Sequence, residues 1–425
     1  MKLHTATILN GLAVAVKLAT QLLVNKMLAV TAGPAAFGVI GQFQSLIAIV
    51  TLLSNGALAN GVVKYTAEYR DDPDAVRRLL GTALYLVLGL AALIAALLLA
   101  VQGHVGRWIF LGQQMPALSA LAMATVPAAL GGLLMAVING NERLGAYVIA
   151  SILGSLATAA WIAFHLFGRG VDGAFFALAT AQAVVCVATA VVFHFALSGH
   201  WRQFAGRFDA GQARRLGHYA AMGLTSAIAV PVVQLVVRKL IADDVGLVQA
   251  GYWQALLRIS ETHLLLLTTT LSVYLLPRLS RMRDAPVLRK ALLSSYRFVL
   301  PLVLTTALII FFCRTPLIHL LLSERFLPVA EVLPYQLIGD VLKVGSWVLA
   351  FTMISHAMSG TYIVSEVLFA GIQIGLSYFL IGSYGLVGAS FAYAATYALY
   401  WVVMVRVVQG LFRRLDAESK AQQAL

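Results

Sequence analysis

Long apolar runs, separated by short polar loops, organise the chain from end to end. A helix needs about 20 apolar residues to cross the hydrocarbon core of a bilayer. Runs of this kind can be placed at residues 7–30, 37–63, 79–101, 117–139, 144–167, 172–196, 214–241, 249–276, 292–313, 329–355, 360–381 and 386–411. The pattern therefore predicts an all-α polytopic membrane protein with twelve transmembrane helices, numbered here as spans 1 to 12, and no separate soluble domain.

The composition and the placement of charge agree with this prediction. Of the 425 residues, 60% are hydrophobic and 11% are charged, whereas a soluble domain carries about 25% charged residues. If the N-terminus is cytoplasmic, the cytoplasmic segments hold 18 Lys and Arg residues and the outer loops hold four. Such an excess is typical of the cytoplasmic side. The formal net charge of +13 therefore indicates topology and contact with membrane lipids, not nucleic-acid binding, and we expect both termini to be cytoplasmic.

An internal repeat relates the two halves of the chain. Segments match at an offset of 213 residues in the first part of each half and at 215 near its end. The matching segments are Gln21–Ala29 with Gln234–Ala242, Phe37–Gly38 with Ala250–Gly251, Arg70–Pro73 with Arg283–Pro286, and Gly170–Ala177 with Gly385–Ala392. Because spans 1 and 7 then run in the same direction, the two repeats are parallel.

The repeat predicts two six-helix lobes joined by a basic connection. We expect an N-terminal lobe at residues 1–200, a cytoplasmic linker at 201–213, a C-terminal lobe at 214–411 and a cytoplasmic tail at 412–425. Transporters built from repeats bind their substrates near the membrane midplane, between the repeats. A cavity between the lobes is therefore the expected location of a substrate site.

Two spans carry a polar stripe along one face of an otherwise apolar helix. The stripes are Gln336, Asp340, Lys343 and Trp347 in span 10, and Gln254, Arg258 and Glu261 in span 8. Residues three or four apart share a helix face, and an ionisable group at the bilayer centre costs roughly 2.5–3.5 kcal/mol on insertion scales. The rest of the chain must therefore supply a partner or a water-filled cavity for these groups.

Further charged residues lie in or beside other spans. Lys17 is near the middle of span 1, Glu366 is in span 11, and Lys64 ends span 2 at the inner boundary. Lys26 is close to the outer interface, where it either belongs to a site or extends its ammonium group to the interface. We expect an outer-surface cluster at the end of span 7, formed by Arg238, Lys239, Asp243 and Asp244.

The charges within the spans have two interpretations. In the first, Arg258–Glu261 and Asp340–Lys343 are neutral pairs that join helices, although such buried pairs are a weak source of stability. In the second, Lys17, Arg258 and Lys343 line a water-filled cavity and hold an anion. An acidic neighbour would then exchange a proton and modulate that grip. Both interpretations fit the spacing.

Enzymatic chemistry is not indicated. The nine histidines and two cysteines show no metal-ligand spacing. The sequence lacks the GxxxxGK(S/T) loop that cradles nucleotide phosphates, and no loop is large enough to host glycosyl transfer. We therefore expect a transporter that uses neither a metal ion nor a cofactor.

Three strings of residues carry a family resemblance. They are Asn60–Tyr65 with Ala67–Tyr69, then Ser272–Ser280, and then Gln336–Gly345, which is the most specific. On these strings the chain resembles the Wzx-type polysaccharide flippases of the multidrug/oligosaccharidyl-lipid/polysaccharide (MOP) superfamily. Within that family it is most similar to the branch that serves enterobacterial common antigen synthesis.

This resemblance implies a MATE-like fold and a lipid-linked substrate. The substrate would be an undecaprenyl-diphosphate-linked oligosaccharide, either lipid III or an O-antigen repeat unit, moved from the cytoplasmic to the periplasmic leaflet of the inner membrane. The candidate diphosphate ligands are then Lys17, Lys26, Lys64, Arg258 and Lys343, and the candidate coupling or gating residues are Asp340, Glu261 and Glu366. Polymerase and chain-length proteins of the same pathway are further candidate partners.

The main alternative is a cation-coupled multidrug exporter of the same superfamily. Its substrates are mostly organic cations, which favour an acidic and aromatic cavity, and Lys17, Arg258 and Lys343 argue against such a cavity. A lipid II flippase of peptidoglycan synthesis is expected to carry helices beyond twelve. A non-transport scaffold would not need charges deep in several helices.

Overall fold

The computed structural model describes residues 3–110, 115–280, 282, 284–356 and 358–423, and the regular structure in them is helical. The α-helices are α1 (Leu3–Thr51), α2 (Ala57–Glu68), α3 (Pro73–Phe110), α4 (Met115–Gly140), α5 (Leu144–Ala196), α6 (Ala210–Asp244), α7 (Leu247–Ser280), α8 (Ala285–Phe312), α9 (Arg314–Leu321), α10 (Val329–Ser355) and α11 (Ser359–Gln423). A π-helical turn, Leu52–Gly56, joins α1 to α2, and short 3-10 helices lie at Ser198–Ala205 and Glu324–Phe326.

Twelve membrane crossings follow from these helices. Seven continuous helices of the described residues are long and apolar enough to span a bilayer, and three of them are 53 to 60 residues long. At 1.5 Å per residue, 60 residues extend about 90 Å, whereas the hydrocarbon core is only about 30 Å thick. Each long helix therefore crosses twice, and α6 and α7 supply the remaining crossings. The all-α fold with twelve crossings is confirmed.

A glycine with positive φ bends each of the three long helices. The bends lie at Gly33, Gly170 and Gly385, each within a gap between two predicted spans. A non-glycine residue in this region of backbone conformation is strained. These glycines therefore mark the places where the chain turns from one crossing to the next.

The bends also support the internal repeat. Gly170 has φ 62° and ψ −144°, and Gly385 has φ 58° and ψ −139°. An added Cβ atom at Gly173 or at Gly388 would lie 2.0 Å from the carbonyl oxygen of the residue eight positions earlier. The same turn, with the same two glycines three residues apart, thus occurs at both positions that the sequence aligned at an offset of 215.

The structure divides into two compact units, Met1–Leu235 and Val236–Leu425. The boundary lies within α6, because the first turns of α6 pack in the first unit. There Leu216 is fully buried in a core with Phe193 and Leu197, and the Asp209 N–H donates to the Thr82 hydroxyl at 2.9 Å. The predicted linker at 201–213 stays a prediction.

Large apolar side chains face outward along the helices of both units. Phe164, Phe195, Phe312 and Phe379 are each at least 70% exposed. Apolar surface of this extent is unusual in a soluble protein and fits contact with lipid chains. In the second unit α10 packs against α7, α8 and α11, so polar groups on α10 meet neighbours on three helices.

Candidate functional site

Asp340 is the centre of a buried polar network in the second unit. Its carboxyl group has no exposed surface. Oδ1 accepts hydrogen bonds from the Ser260 hydroxyl of α7 and from the Tyr393 hydroxyl of α11 at 3.0 Å. Oδ2 faces the Nδ1 atom of His263, also on α7, at 3.5 Å. A carboxylate at this depth is therefore held by groups from two neighbouring helices.

Lys343 lies among aromatic rings one turn along α10. Its Nζ atom is 5.0 Å from the ring centroid of Trp347, 5.4 Å from that of Tyr393 and 4.9 Å from that of Tyr397. An ammonium group within about 6 Å of an aromatic face is attracted by the ring quadrupole, by about 0.5–2 kcal/mol per contact. Three such contacts keep the cation in place without neutralising its charge.

Asp340 and Lys343 do not form the ion pair that their spacing allows. Among the ion pairs of the described residues, Asp340 appears only with His263, and Lys343 does not appear. The carboxyl group turns toward the hydroxyl donors of α7 and α11, which satisfy it inside the helix bundle. The first interpretation of these two residues, as a neutral ion pair that joins helices, is therefore wrong about the contact between their side chains. Tyr393 links the two charges instead, because its hydroxyl reaches Asp340 and its ring lies near Lys343.

Two glycines on α10 allow α11 to come this close. An added Cβ atom at Gly339 would lie 2.2 Å from the Tyr393 ring, and one at Gly345 would lie 2.7 Å from the ring of Trp401. The Gly345 carbonyl accepts a hydrogen bond of 2.7 Å from the Tyr296 hydroxyl, which in turn accepts one from the Trp401 indole N–H at 3.1 Å. Both glycines belong to the string that carries the family resemblance.

Glu366 lies in the same part of the second unit. It is half-buried, its Oε1 atom accepts a long hydrogen bond of 3.4 Å from the Tyr400 hydroxyl, and it interacts electrostatically with Lys343. Three of the sequence-predicted site residues, Asp340, Lys343 and Glu366, are thus brought together by α10 and α11.

A second group of charges joins α6 and α7. Arg258 and Glu261 form the expected pair at 2.9 Å, with side chains 19% and 41% exposed. Arg238 is 1% exposed and donates from Nη2 to the Gln254 Oε1 atom at 2.6 Å. It also lies within electrostatic range of Arg258 and Glu261. This group holds two guanidinium groups and one carboxylate, so it carries a net positive charge.

The burial of Arg238 corrects the expected outer-surface cluster. The other members fit the expectation better, because Asp243 and Asp244 are exposed and Lys239 is ion-paired with Asp243. Consecutive residues point about 100° apart on a helix with 3.6 residues per turn, so Arg238 faces α7 while the Lys239 side chain, which is 18% exposed, turns to Asp243. Sequence position near the end of the span does not reveal this difference.

The lysines of the first unit have different surroundings. Lys17 and Lys64 are exposed, Lys26 is half-buried, and the Nζ atom of Lys64 is 5.0 Å from the ring centroid of Tyr65. Lys17 and Lys26 are both on α1, nine residues apart, which corresponds to about 13 Å of helix rise. The structure does not bring these two together into one cluster, and their role as ligands stays a prediction.

Sequence reasoning missed several residues of the network. Ser260, His263 and Thr306 are not conspicuous among many similar residues, and only tertiary packing selects them. Tyr393, Tyr397 and Tyr400 could have been found, because their spacing of four and three residues places them on one face of α11. That face is the one that meets Lys343 and Glu366.

The comparisons with known proteins identify the family of this chain. The model of the family described as "Polysaccharide biosynthesis protein" matches residues 27–331. The chain is 32% identical to the lipid III flippase of Escherichia coli (strain K12) over 404 residues, which cover 94% of this chain and 97% of the relative. The lipid III flippase of Shigella flexneri matches to the same extent. The chain belongs to this polysaccharide biosynthesis family.

Solved structures of the MOP superfamily share its fold. An inward-facing MATE-family multidrug resistance transporter superposes with a TM-score of 0.80 at 13% identity, covering 94% of this chain and 96% of that one. A MOP superfamily transporter from Pyrococcus furiosus, described as having a binding pocket of reverse polarity, gives a TM-score of 0.68 at 15% identity, with coverages of 97% and 96%. The MOP fold is therefore confirmed. The two curated relatives are flippases, in agreement with the expectation that the chain is not an enzyme.

Proposed function

We propose that this protein flips an undecaprenyl-diphosphate-linked oligosaccharide, lipid III or a related repeat unit, from the cytoplasmic to the periplasmic leaflet. The observation that carries the proposal is the 32% identity to lipid III flippases over 94% of the chain, together with the positive charge of the half-buried Lys343. The excess of basic residues in the loops assigned to the cytoplasm supports an inner-membrane location with both termini inside.

Lys343 is the cation best suited to hold the diphosphate. Its contacts to three aromatic rings are each worth about 0.5–2 kcal/mol, and they leave its charge available to an anion. A charge-assisted hydrogen bond from an ammonium to a phosphate oxygen is stronger than a neutral one. A phosphate oxygen can therefore draw the ammonium group away from the rings, and the rings hold it when the ligand has left.

Arg258 is the second ligand in the proposal. A guanidinium group can bind two phosphate oxygens at once, whereas an ammonium group acts as a point charge. Glu261 competes for Arg258 at 2.9 Å, so ligand binding would exchange one anion for another. Lys17, Lys26 and Lys64 are proposed to guide or bind the diphosphate from the first unit, and Asp340 and Glu366 to tune the affinity of Lys343.

Membrane potential suffices as the driving force in this proposal. A diphosphate carries about two negative charges, and moving one charge across 100 mV is worth roughly 2.3 kcal/mol. With the inside negative, outward movement of the ligand is downhill by about 5 kcal/mol per 100 mV. If the protein's cations neutralise the ligand, the same energy appears on the return step. Flipping in liposomes with an imposed potential and no ion gradient is expected, and strict dependence on a pH gradient would contradict it.

A cation-coupled multidrug exporter is the second candidate, because MATE transporters share the fold and Asp340 is a buried carboxylate. The charge of the group on α6 and α7 separates the two. This group, formed by Arg238, Arg258 and Glu261, is net positive and would repel organic cations.

Genetic complementation tests the proposal. The gene is introduced into one strain that lacks the flippase for common antigen and another that lacks the flippase for O-antigen. We expect restored export and loss of the accumulated lipid-linked oligosaccharide in the first strain. Failure in both strains, together with increased resistance to cationic drugs, would favour the exporter. Interaction with polymerase and chain-length proteins can be checked in the same strains by co-purification.

A further inference from the structure

The network around Asp340 contains a hydroxyl group that has more acceptors than protons. Thr306 on α8 lies 2.8 Å from the Nε2 atom of His263. The same hydroxyl oxygen is 3.0 Å from the Leu302 carbonyl and 3.1 Å from the Val303 carbonyl. A hydroxyl group has one proton to donate, so it serves either a backbone carbonyl or the imidazole ring at any one time.

The hydroxyl group allows two hydrogen-bond arrangements, and in the first of them the His263–Asp340 pair holds one proton more than in the second. If Thr306 donates to a backbone carbonyl, it accepts from an imidazole N–H, and the other imidazole nitrogen faces the Oδ2 atom of Asp340. Two lone pairs cannot face each other in a buried site without loss of a hydrogen bond. A proton must therefore lie between His263 and Asp340, on the ring or on the carboxyl group, and the pair is neutral overall.

The second arrangement has one proton fewer. If the Thr306 hydroxyl rotates and donates to the imidazole, the ring carries its single N–H on the other nitrogen and donates it to the Asp340 carboxylate. Every group is again satisfied, and the pair carries one negative charge. The argument does not depend on which ring nitrogen faces which partner. Interconversion requires only rotation of one hydroxyl group and the transfer of one proton.

The neighbouring charges determine what this proton does. Lys343 is one turn away on α10, and both it and Asp340 contact Tyr393. The other oxygen of Asp340 already accepts from the hydroxyl groups of Ser260 and Tyr393. The remaining charged groups on the described parts of the packed helices lie on all four of them. They are the Arg258–Glu261 pair of α7, Arg289, Lys290 and Arg297 in the first half of α8, Glu331 in the first turn of α10, and Glu366, Arg406, Arg413, Arg414 and Asp416 on α11.

We propose that His263, Asp340 and Thr306 form a proton-binding site, and that uptake of one proton there strengthens the hold of Lys343 on an anionic ligand. In the deprotonated state the negative charge of Asp340 offsets the charge of Lys343. In the protonated state the His263–Asp340 pair is neutral and no longer offsets the charge of Lys343, which therefore attracts a phosphate more strongly. Linkage makes the effect reciprocal, so ligand binding draws a proton into the site. The effect concerns equilibrium binding and requires no pH gradient across the membrane.

Ring titration of the full-length protein tests the site without a ligand. In protein labelled with ¹⁵N-histidine, the His263 signals are identified by their loss in His263→Gln. When the pH is varied between about 5 and about 9, we expect these signals to report a change of protonation or of tautomer at the site, and Thr306→Val, which removes the rotating hydroxyl, to shift the midpoint of that change. His319→Gln, a change at an exposed histidine of α9, leaves the His263 titration unchanged. A His263 ring that keeps one protonation state and one tautomer over this range would overturn the proposal.

Binding of undecaprenyl diphosphate to the purified protein tests the coupling, which rests on the proposed function. Above the midpoint we expect the apparent Kd of the wild type to rise about tenfold per pH unit for one linked proton, with proton uptake on binding in weakly buffered solution. His263→Gln should bind with little pH dependence, whereas His319→Gln should behave as the wild type. Wild-type binding without proton uptake would overturn the coupling. Absence of binding at every pH would instead contradict the proposed function, and the ring titration then decides the proton site alone.

Discussion

Gly339 lies against the ring of Tyr393, and its replacement by alanine should break the contact between α10 and α11 at the site. The added Cβ atom would lie 2.2 Å from the ring, whereas ordinary contact begins at 3.4 Å. The ring would therefore have to retreat by about 1.2 Å, and it is 5% exposed and enclosed by its neighbours. Such a retreat lengthens the hydrogen bond of 3.0 Å from Tyr393 to Asp340 beyond bonding distance.

The expected loss of stability in Gly339→Ala has two contributions. Overpacking of a buried site costs about 1–3 kcal/mol, and loss of a hydrogen bond to a charged group costs about 1.5–3 kcal/mol. We therefore expect Gly339→Ala to destabilise the protein by roughly 2.5–6 kcal/mol and to displace one of the rings around Lys343. Thermal unfolding in detergent measures the first effect, and flipping in proteoliposomes at a permissive temperature measures the second.

Gly375→Ala is the matched control on α11. Nothing lies within 4 Å of a Cβ atom at Gly375, and alanine is favoured over glycine in a helix by about 1 kcal/mol. We expect this variant to be as stable as the wild type or slightly more stable. If Gly339→Ala unfolds at the same temperature as Gly375→Ala and flips at the same rate, the close approach of the two helices does not matter, and this part of the account is wrong.

Three other predictions test separate features. Arg258→Lys keeps the positive charge but removes the planar guanidinium group that can bind two phosphate oxygens. Flipping should slow by roughly tenfold or more, because a charge-assisted contact of about 1.5–3 kcal/mol is lost. Full activity would indicate diffuse electrostatic attraction instead. Gly385→Ala places a side chain at φ 58° and should destabilise by roughly 1–2 kcal/mol in thermal unfolding, whereas Gly382→Ala, with open space around it, should not. Burial, and then the positive charge of Arg143, lower the pKa of His200 in the 3-10 helix Ser198–Ala205. The folded state therefore disfavours protonation of His200. The contribution of the neutral imidazole to the free energy of unfolding is present above about pH 6.5 and is lost as the pH falls below that value. His200→Gln should therefore weaken the pH dependence of the unfolding temperature in this range.

The positions of the membrane helices could be predicted because the length of an apolar run is a property of the local sequence. Residues 329–355 coincide with α10, and each bend falls in a predicted gap. The repeat was visible because Gly170 and Gly385 are needed for the same turn. Side-chain partners could not be predicted in the same way, since a helix places Asp340 and Lys343 on one face but does not decide which neighbour each contacts.

The burial of Arg238 shows the same limit. Its sequence position near two aspartates suggested the outer surface, yet rotation of one residue along α6 turns it inward to Gln254. The His263–Thr306 contact joins α7 to α8 across 43 positions of sequence, and no local sequence pattern predicts it. What the sequence did indicate was the need for such partners, because buried charges require them.

The most direct test of the central claim measures the flipping of an undecaprenyl-diphosphate-linked oligosaccharide by two variants at equal membrane levels. The variants are Lys343→Ala and the double variant Asp340→Ala/Lys343→Ala. The account predicts that Lys343→Ala slows flipping at least about tenfold, equivalent to about 1.4 kcal/mol, and that the double variant stays impaired. Recovery of wild-type flipping in the double variant would contradict it, because Asp340 and Lys343 would then only neutralise each other and the diphosphate would have to be held elsewhere.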